Sequence, residues 1–425
     1  MVQHNIHTQE KGRSWGAPEI LSPAGDWERL EAAVRFGADA VYLGGEQFGM
    51  RASAASFGRE KLREGVAYCH RQGAKVYLTC NTLPRNREID QLPDFFQMAR
   101  ECGVDALIAA DIGVLLAAKR ALPEMDIHVS TQAGVVNYLT ARELYDMGAK
   151  RVVLARELSL EEIREIREKT PPQLEIEAFV HGAMCVSFSG RCLLSSYLVN
   201  RDPNRGECAQ PCRWGYHLTE EKRPELHFPI FEDEKGSYIL NAKDLCMISH
   251  IHELAQAGIT SFKIEGRAKS AYYVAVITNA YRQAVDRWKE APDRFQLEPW
   301  MEEETRKVSH RQYCTGFYFG PPNQGQYYGD SGYIRSYDVV AVVEGYAEGR
   351  LLCVEKNRFS VGDRLELVIP GRRPEEMTVS AMEDGEGQSI SCARHPMMQL
   401  RIPCERPYPA GTILRKQQEQ ERVAG

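Results

Sequence analysis

Apolar and polar positions alternate along the chain in blocks. A helix-like stretch ends at a glycine, and a short run of apolar residues follows within a few positions. The instances are FGADAVYLGG from Phe36, QGAKVYLTCN from Gln72, CGVDALIAAD from Cys102, MGAKRVVLAR from Met147 and AGITSFKIEG from Ala257. Gly37, Gly73, Gly103, Gly148 and Gly258 suit helix C-caps, where a left-handed residue is needed. The runs after them are too continuously apolar to have one wet face, which marks strands buried on both sides. EILSPAG from Glu19, DIHVSTQ from Asp126 and LEIEAFVHG from Leu174 complete a set of eight, centred near residues 21, 42, 78, 107, 128, 153, 177 and 263. Helical segments separate them, among them DWERLEAAVRF (26–36) and SLEEIREIREK (159–169), the second opening on a Ser159/Glu162 capping box. Eight strand–helix units predict an α/β fold, a (β/α)8 TIM-like barrel over residues 18–310, with an open doubly wound sheet as the alternative.

One connection breaks the rhythm. More than 80 residues separate the seventh and eighth strand centres, against about 20 to 35 elsewhere. An insertion there, about 182–238, falls at the C-terminal face of the barrel, where barrel active sites lie. Residues 1–17 are expected to be a flexible tail. Residues 311–335, rich in Gly, Tyr and Pro, are expected to be a linker. Beyond it DVVAVVEGY, RLLCVEKN, DRLELVIPG and AGTILRK predict short strands of a small C-terminal β-barrel over 336–420.

Composition narrows the class. The 425 residues are 43% hydrophobic and 26% charged, with net charge −6. This fits a globular protein and argues against a wholly basic nucleic-acid coat. No window approaches the ~18 apolar residues of a membrane span, and the N-terminus lacks a signal-peptide core, so a cytoplasmic location without membrane contact is expected.

The candidate chemistry sits in the insertion. Cys185-x6-Cys192-x15-Cys208-x3-Cys212 gathers four of the twelve cysteines in one stretch. Such a cluster points to soft-metal binding or redox chemistry. Four thiolates suit a [4Fe–4S] cluster or an all-cysteine zinc site. Zinc ribbons favour two short knuckles, and only Cys208-x3-Cys212 resembles one, so iron–sulfur is the preferred reading. Cys246 is a fifth candidate, or a buried helix cysteine. Cys69, Cys80, Cys102, Cys314, Cys353, Cys392 and Cys404 are expected to be small buried hydrophobes.

Polar residues also recur where strands end: Asn81, Asp111, Gln132, Glu177, His181, Lys263, Glu265 and Arg267, with Arg51 after the second strand. Singly each is an ordinary loop hydrogen-bonder; together at one barrel mouth they suggest a site. Arg51, Lys263 and Arg267, with Glu265, are candidates to hold an anionic small molecule. His181, Glu177, Asn81, Gln132 and Asp111 are candidates for proton handling and catalysis. In the C-terminal module Arg350, Lys356, Arg358, Arg364, Arg372, Arg373, Arg415 and Lys416 are either a solvated mixed surface or a phosphate-contacting patch.

ILSPAGDWERLEAAVRFGADAVYLG, EAFVHGAMCVSFSGRCLLSSYLVNRDPNRGECAQPCRW and SFKIEGRAKSAYYV closely resemble the U32 family of so-called peptidases, and NRFSVGDRLELVIPG resembles that family's C-terminal domain. Within it the chain is most similar to the bacterial tRNA-hydroxylation branch. That resemblance implies oxygen-independent 5-hydroxylation of the tRNA wobble uridine, with prephenate as co-substrate or ligand. It supports Cys185, Cys192, Cys208 and Cys212 as ligands of a [4Fe–4S] cluster. It also implies tRNA as partner, with a family paralogue or electron donor as a further one. The family label itself implies a collagenase-like peptidase, but the chain has no H-E-x-x-H and no G-x-S-x-G elbow between a strand and a helix (its one such string, Gly12–Gly16, precedes the first strand), and Ser189 has no base beside it in sequence. A non-catalytic tRNA-binding scaffold with a structural metal is the third alternative.

Overall fold

The computed structural model describes residues 16–50, 57–185, 192–202, 207–213, 219–220, 223–227, 232–233, 236–237, 243–320 and 333–418. Eight parallel strands close into a barrel: β1 (Glu19–Ala24), β2 (Ala40–Gly44), β3 (Lys75–Cys80), β4 (Ala106–Ala109), β5 (Asp126–Val129), β6 (Arg151–Val153), β7 (Glu175–Ala183) and β8 (Ser261–Ile264). β8 pairs with both β1 and β7, which completes the ring. All eight expected strands are present, and the closed ring excludes an open sheet. The five repeat glycines all have positive φ, as the C-cap reading requires. Asp26 caps the helix Trp27–Arg35, and Ser159 and Glu162 form the expected capping box on Leu160–Glu168.

Strand alternation divides the side chains. Ile20, Val41, Val76, Leu107, Ile127 and Ile176 join the helices in one large apolar core. Leu21, Ala40, Tyr42, Tyr77, Ala106 and Ile108 form a smaller cluster inside the ring. Burial of these apolar faces is the main force holding helix ring to barrel.

β7 is nine residues long and outruns its neighbours. Its far end receives the short strand Asp244–Cys246 in antiparallel pairing, and Tyr313–Cys314 pairs with that strand in turn. The insertion therefore returns to the sheet before β8. The first part of the segment expected as a linker packs onto the barrel: Tyr318 is buried and donates to the Phe179 carbonyl at 2.6 Å.

The C-terminal module, expected as a small β-barrel, is an antiparallel seven-stranded sheet with a separate two-stranded ladder, Phe359–Ser360 with Cys392–Ala393, and its own apolar core. It is fixed to the barrel through the long helix Ala271–Glu290. Arg415, fully buried, bonds Glu304 at 2.6 Å and Glu366 at 2.5 Å, and its guanidinium also reaches the Tyr272 hydroxyl at 3.1 Å. Among the described residues no helix is long and apolar enough to cross a membrane.

Candidate functional site at the barrel mouth

The barrel interior is polar at its N-terminal end. Glu19, Arg151, Glu175 and Ser261 are the first residues of their strands. Arg151 bonds Glu19 at 2.6 Å, Glu175 at 2.5 Å and Glu177 at 3.0 Å. Tyr77 and Ser261 hydroxyls also donate to Glu19, at 2.6 and 2.9 Å. Burial alone would raise the Glu19 carboxyl, but the Arg151 charge and these bonds hold it below the usual range. Lys263 lies one layer higher, bonded to Glu177 at 2.5 Å and over the Tyr42 ring at 4.4 Å. Burial, then the Arg151 and Lys263 charges, keep His128 neutral beside them.

The sequence-predicted residues thus divide. Glu177 and Lys263 come together, but as a buried ion pair below the mouth. His181 does not join them. The register with β8 shifts between Lys263 and Ile264, so that Phe179 and His181 face consecutive residues of β8. This bulge turns the His181 ring outwards, against Tyr281, Tyr273 and Tyr313. Its nitrogens lie 3.4 Å from the Tyr281 and Tyr313 hydroxyls. Burial, with the His310 and Lys269 charges, depresses it to about 3, so the ring is neutral near pH 7.

At the mouth, Asn81 accepts from the Met50 amide at 3.1 Å and reaches Ser130 across 3.5 Å. Ser130 also takes the Gln132 amide, at 3.3 Å. Asp111 caps the helix Ile112–Ala121 by accepting from Val114. Arg267 lies 3.4 Å from the Thr79 hydroxyl and close over Gly44, where a Cβ would crowd its guanidinium at 2.9 Å. Glu265 faces Arg156 at 3.5 Å. Arg51 lies outside the described residues, as does Ser189.

Arg156 is the mouth residue the strand-end reading missed. It stacks over Phe179 at 3.8 Å and donates to the Ala183 carbonyl at 2.9 Å, two residues before Cys185. The signal was present: it directly follows the sixth apolar run in VVLAR.

Of the four clustered cysteines, Cys185 and Cys208 are exposed and Cys192 and Cys212 part-buried. Helix Leu194–Val199 carries Ser195, whose Oγ accepts from the Ala209 amide at 3.0 Å. The Gln210 amide points at the Cys208 sulfur across 3.4 Å. Among the described residues, no three His, Cys, Asp or Glu side chains are gathered around a common metal position. The fit to an iron–sulfur centre rests on the donor set: four thiols from the one segment that follows β7, one already met by an amide. Cys246 ends a strand, not a helix, opposite His181, and burial raises its thiol to about 11. Of the scattered cysteines, Cys69, Cys80, Cys102 and Cys353 are buried and Cys314, Cys392 and Cys404 only partly so.

Known proteins share this arrangement of sequence. The model of peptidase family U32 matches residues 25–327, and that of the peptidase family U32 C-terminal domain matches 335–415. The chain is 36% identical over 402 residues to tRNA hydroxylation protein P1 of Bacillus subtilis (strain 168), covering 94% of each. It is 38% identical over 419 residues to tRNA hydroxylation protein P of Escherichia coli (strain K12), covering 88% of this chain and 91% of that one. Identity to the Escherichia coli (strain K12) 23S rRNA 5-hydroxycytidine C2501 synthase is 39% over 268 residues, 63% of this chain and 39% of that protein. With both domains matched and the similarity running nearly end to end, the chain belongs to peptidase family U32.

Proposed function

We propose that this protein is an RNA-hydroxylating enzyme that acts on tRNA, installing 5-hydroxyuridine at the wobble position in a prephenate-dependent, oxygen-independent reaction. The observation that carries the reading is similarity over 94% of the chain to a tRNA hydroxylation protein. The cysteine insertion at the C-terminal face of the barrel supports it.

Cys185, Cys192, Cys208 and Cys212 would hold a [4Fe–4S] cluster, with Cys246 as the competing fourth ligand. Such a group, when bound, supplies one-electron transfer beside the mouth. Arg267 and Arg156, with Arg51, offer planar guanidinium donors that suit the carboxylates of a small dianion. Glu265 orients Arg156. Asn81 and Ser130 offer neutral donors and acceptors to a substrate base entering the mouth. Glu177 and Lys263 hold the floor beneath, each neutralising the other. His181 acts from outside the ring, as a neutral imidazole that sets the end of β7 where the insertion begins.

The test is nucleoside mass spectrometry of tRNA from cells with and without the gene. Deletion should abolish 5-hydroxyuridine derivatives, and wild type but not Cys192→Ala should restore them. Iron content after anaerobic reconstitution of Cys212→Ala and Cys246→Ala should fall for the true fourth ligand alone. Unchanged nucleosides together with gelatin cleavage by the pure protein would replace this reading with peptide hydrolysis.

A further inference from the structure

The C-terminal module is rich in cations, and the structure sorts them by whether a carboxylate answers them. Arg415 is buried between Glu304 and Glu366. Lys416 bonds Asp363 at 2.8 Å, Arg350 bonds Glu383 at 3.1 Å, and Arg364 pairs with Glu376. These side chains are committed to holding the module together.

Arg358 and Arg394 are arranged differently. In the two-stranded ladder Phe359 faces Ala393 and Ser360 faces Cys392. One residue further along, Arg358 and Arg394 therefore stand opposite each other, and both are exposed. Like charges directly opposite across a ladder repel. Both guanidiniums, and the Ser360 hydroxyl, also converge on the half-exposed Cys392 sulfur. Among the described residues no carboxylate lies within ion-pair distance of either arginine. The nearby acids are occupied: Asp363 takes Lys416 and the Ser360 amide, and buried Glu355 takes the His395 amide at 3.0 Å. In a chain of net charge −6, two facing arginines with no carboxylate partner among the described residues concentrate positive charge that suits an anion.

The ladder also lies at the correct end of the molecule. Lys356, two residues before Arg358, approaches Glu28 at 3.8 Å. Glu28 is in the first turn of the helix that leaves the C-terminal end of β1, at the mouth. Three residues along the same strand, where the Lys356 amide meets Val340 and the Gly411 amide meets Val343, Gly411 backs onto Arg35 in that helix's last turn. The module is therefore oriented with its 356–360 edge towards the mouth.

We propose that Arg358 and Arg394 form a phosphate-binding point for the backbone of the RNA substrate, beside the barrel mouth. This rests on the RNA-hydroxylation reading and extends it by naming the docking surface. The arginines contact phosphate, fix the orientation of the strand and carry no sequence information.

The test is equilibrium binding of tRNA purified from a strain lacking the gene, between 50 and 200 mM salt. Arg358→Ala/Arg394→Ala should bind at least about tenfold more weakly than wild type. Its log affinity against log salt should be shallower by about one to two. Arg364→Ala, an exposed arginine that has its own carboxylate, should stay within about twofold of wild type. In wild type, tRNA should slow alkylation of Cys392, read by peptide mass spectrometry. A double variant with wild-type affinity and salt slope overturns this surface while leaving RNA hydroxylation intact. Wild-type protein that binds no tRNA overturns both.

Discussion

At the closed end of the barrel, Arg151 meets three carboxylates at 2.5 to 3.0 Å. At the open end, three side-chain to side-chain contacts are longer, Arg156 to Glu265 at 3.5 Å, Arg267 to Thr79 at 3.4 Å and Asn81 to Ser130 at 3.5 Å, while Arg156 and Asn81 also make short bonds to backbone. The two ends draw on the same residue types. They differ in access. The Arg151 side chain is 5% exposed and Glu177 0%, so water cannot replace Arg151 at Glu177 if that partner is lost. Arg267, Asn81 and Glu265 are only half-buried, so water or ligand atoms can reach them. Tight charge pairing at one end holds the ring; loose pairing at the other leaves it able to bind.

The largest expected effect tests the closed end. Arg151→Met keeps the apolar stem but leaves Glu19, Glu175 and Glu177 without their common cation. Removing one partner of a buried network strands the remaining charges, at a cost of about 3–5 kcal/mol. Urea unfolding of the variant should show that loss; a loss under about 1 kcal/mol would mean that the network is not what closes the ring.

A second test uses pH. His128 and His181 are both held neutral by burial, His181 down to about 3. The folded state refuses a proton that the unfolded chain accepts near 6.5. Their stabilising effect is therefore complete above about pH 6.5 and is lost as the pH falls below it, towards 3 for His181. Each such histidine contributes about 1.4 kcal/mol per pH unit in that window. Glu19, depressed by Arg151, adds to the loss at lower pH. His128→Phe should flatten the stability–pH slope between pH 6 and 5 by about one histidine's share; an unchanged slope would show that His128 is protonated in place.

Five of the eight strands were legible as apolar runs set off by a glycine cap, and the other three as short apolar runs between helical segments. Depth and direction were not. Glu177 and Lys263 belong inside the ring by alternation, but nothing in EIEAF or FKIEG tells that they meet each other first. His181 should alternate inwards with Glu177 and Phe179; the bulge opposite Ile264 reverses it, and a bulge is set by the partner strand. The cysteine spacing was visible as a cluster, whereas the return of Asp244–Cys246 alongside β7 depends on tertiary pairing over some sixty residues. Arg156 obeys the strand-end rule that found Arg267, and the rule had only to be applied to the sixth strand.

The smallest expected effect on stability belongs to the mouth, and it sharpens the contrast most. Arg267→Gln removes the charge of a side chain that is only half-buried. Its cost in unfolding free energy should be within about 0.5 kcal/mol. If the mouth receives a carboxylate-bearing molecule, the same substitution removes a bidentate anchor that glutamine cannot replace, and 5-hydroxyuridine in tRNA from a complemented deletion strain should fall by at least about tenfold. Arg267→Lys should recover part of it, since the charge returns without the planar fork. A variant that is both stable and fully active would move the binding site away from this arginine; one that is unstable would mean that the mouth, like the closed end, is held together by its charges.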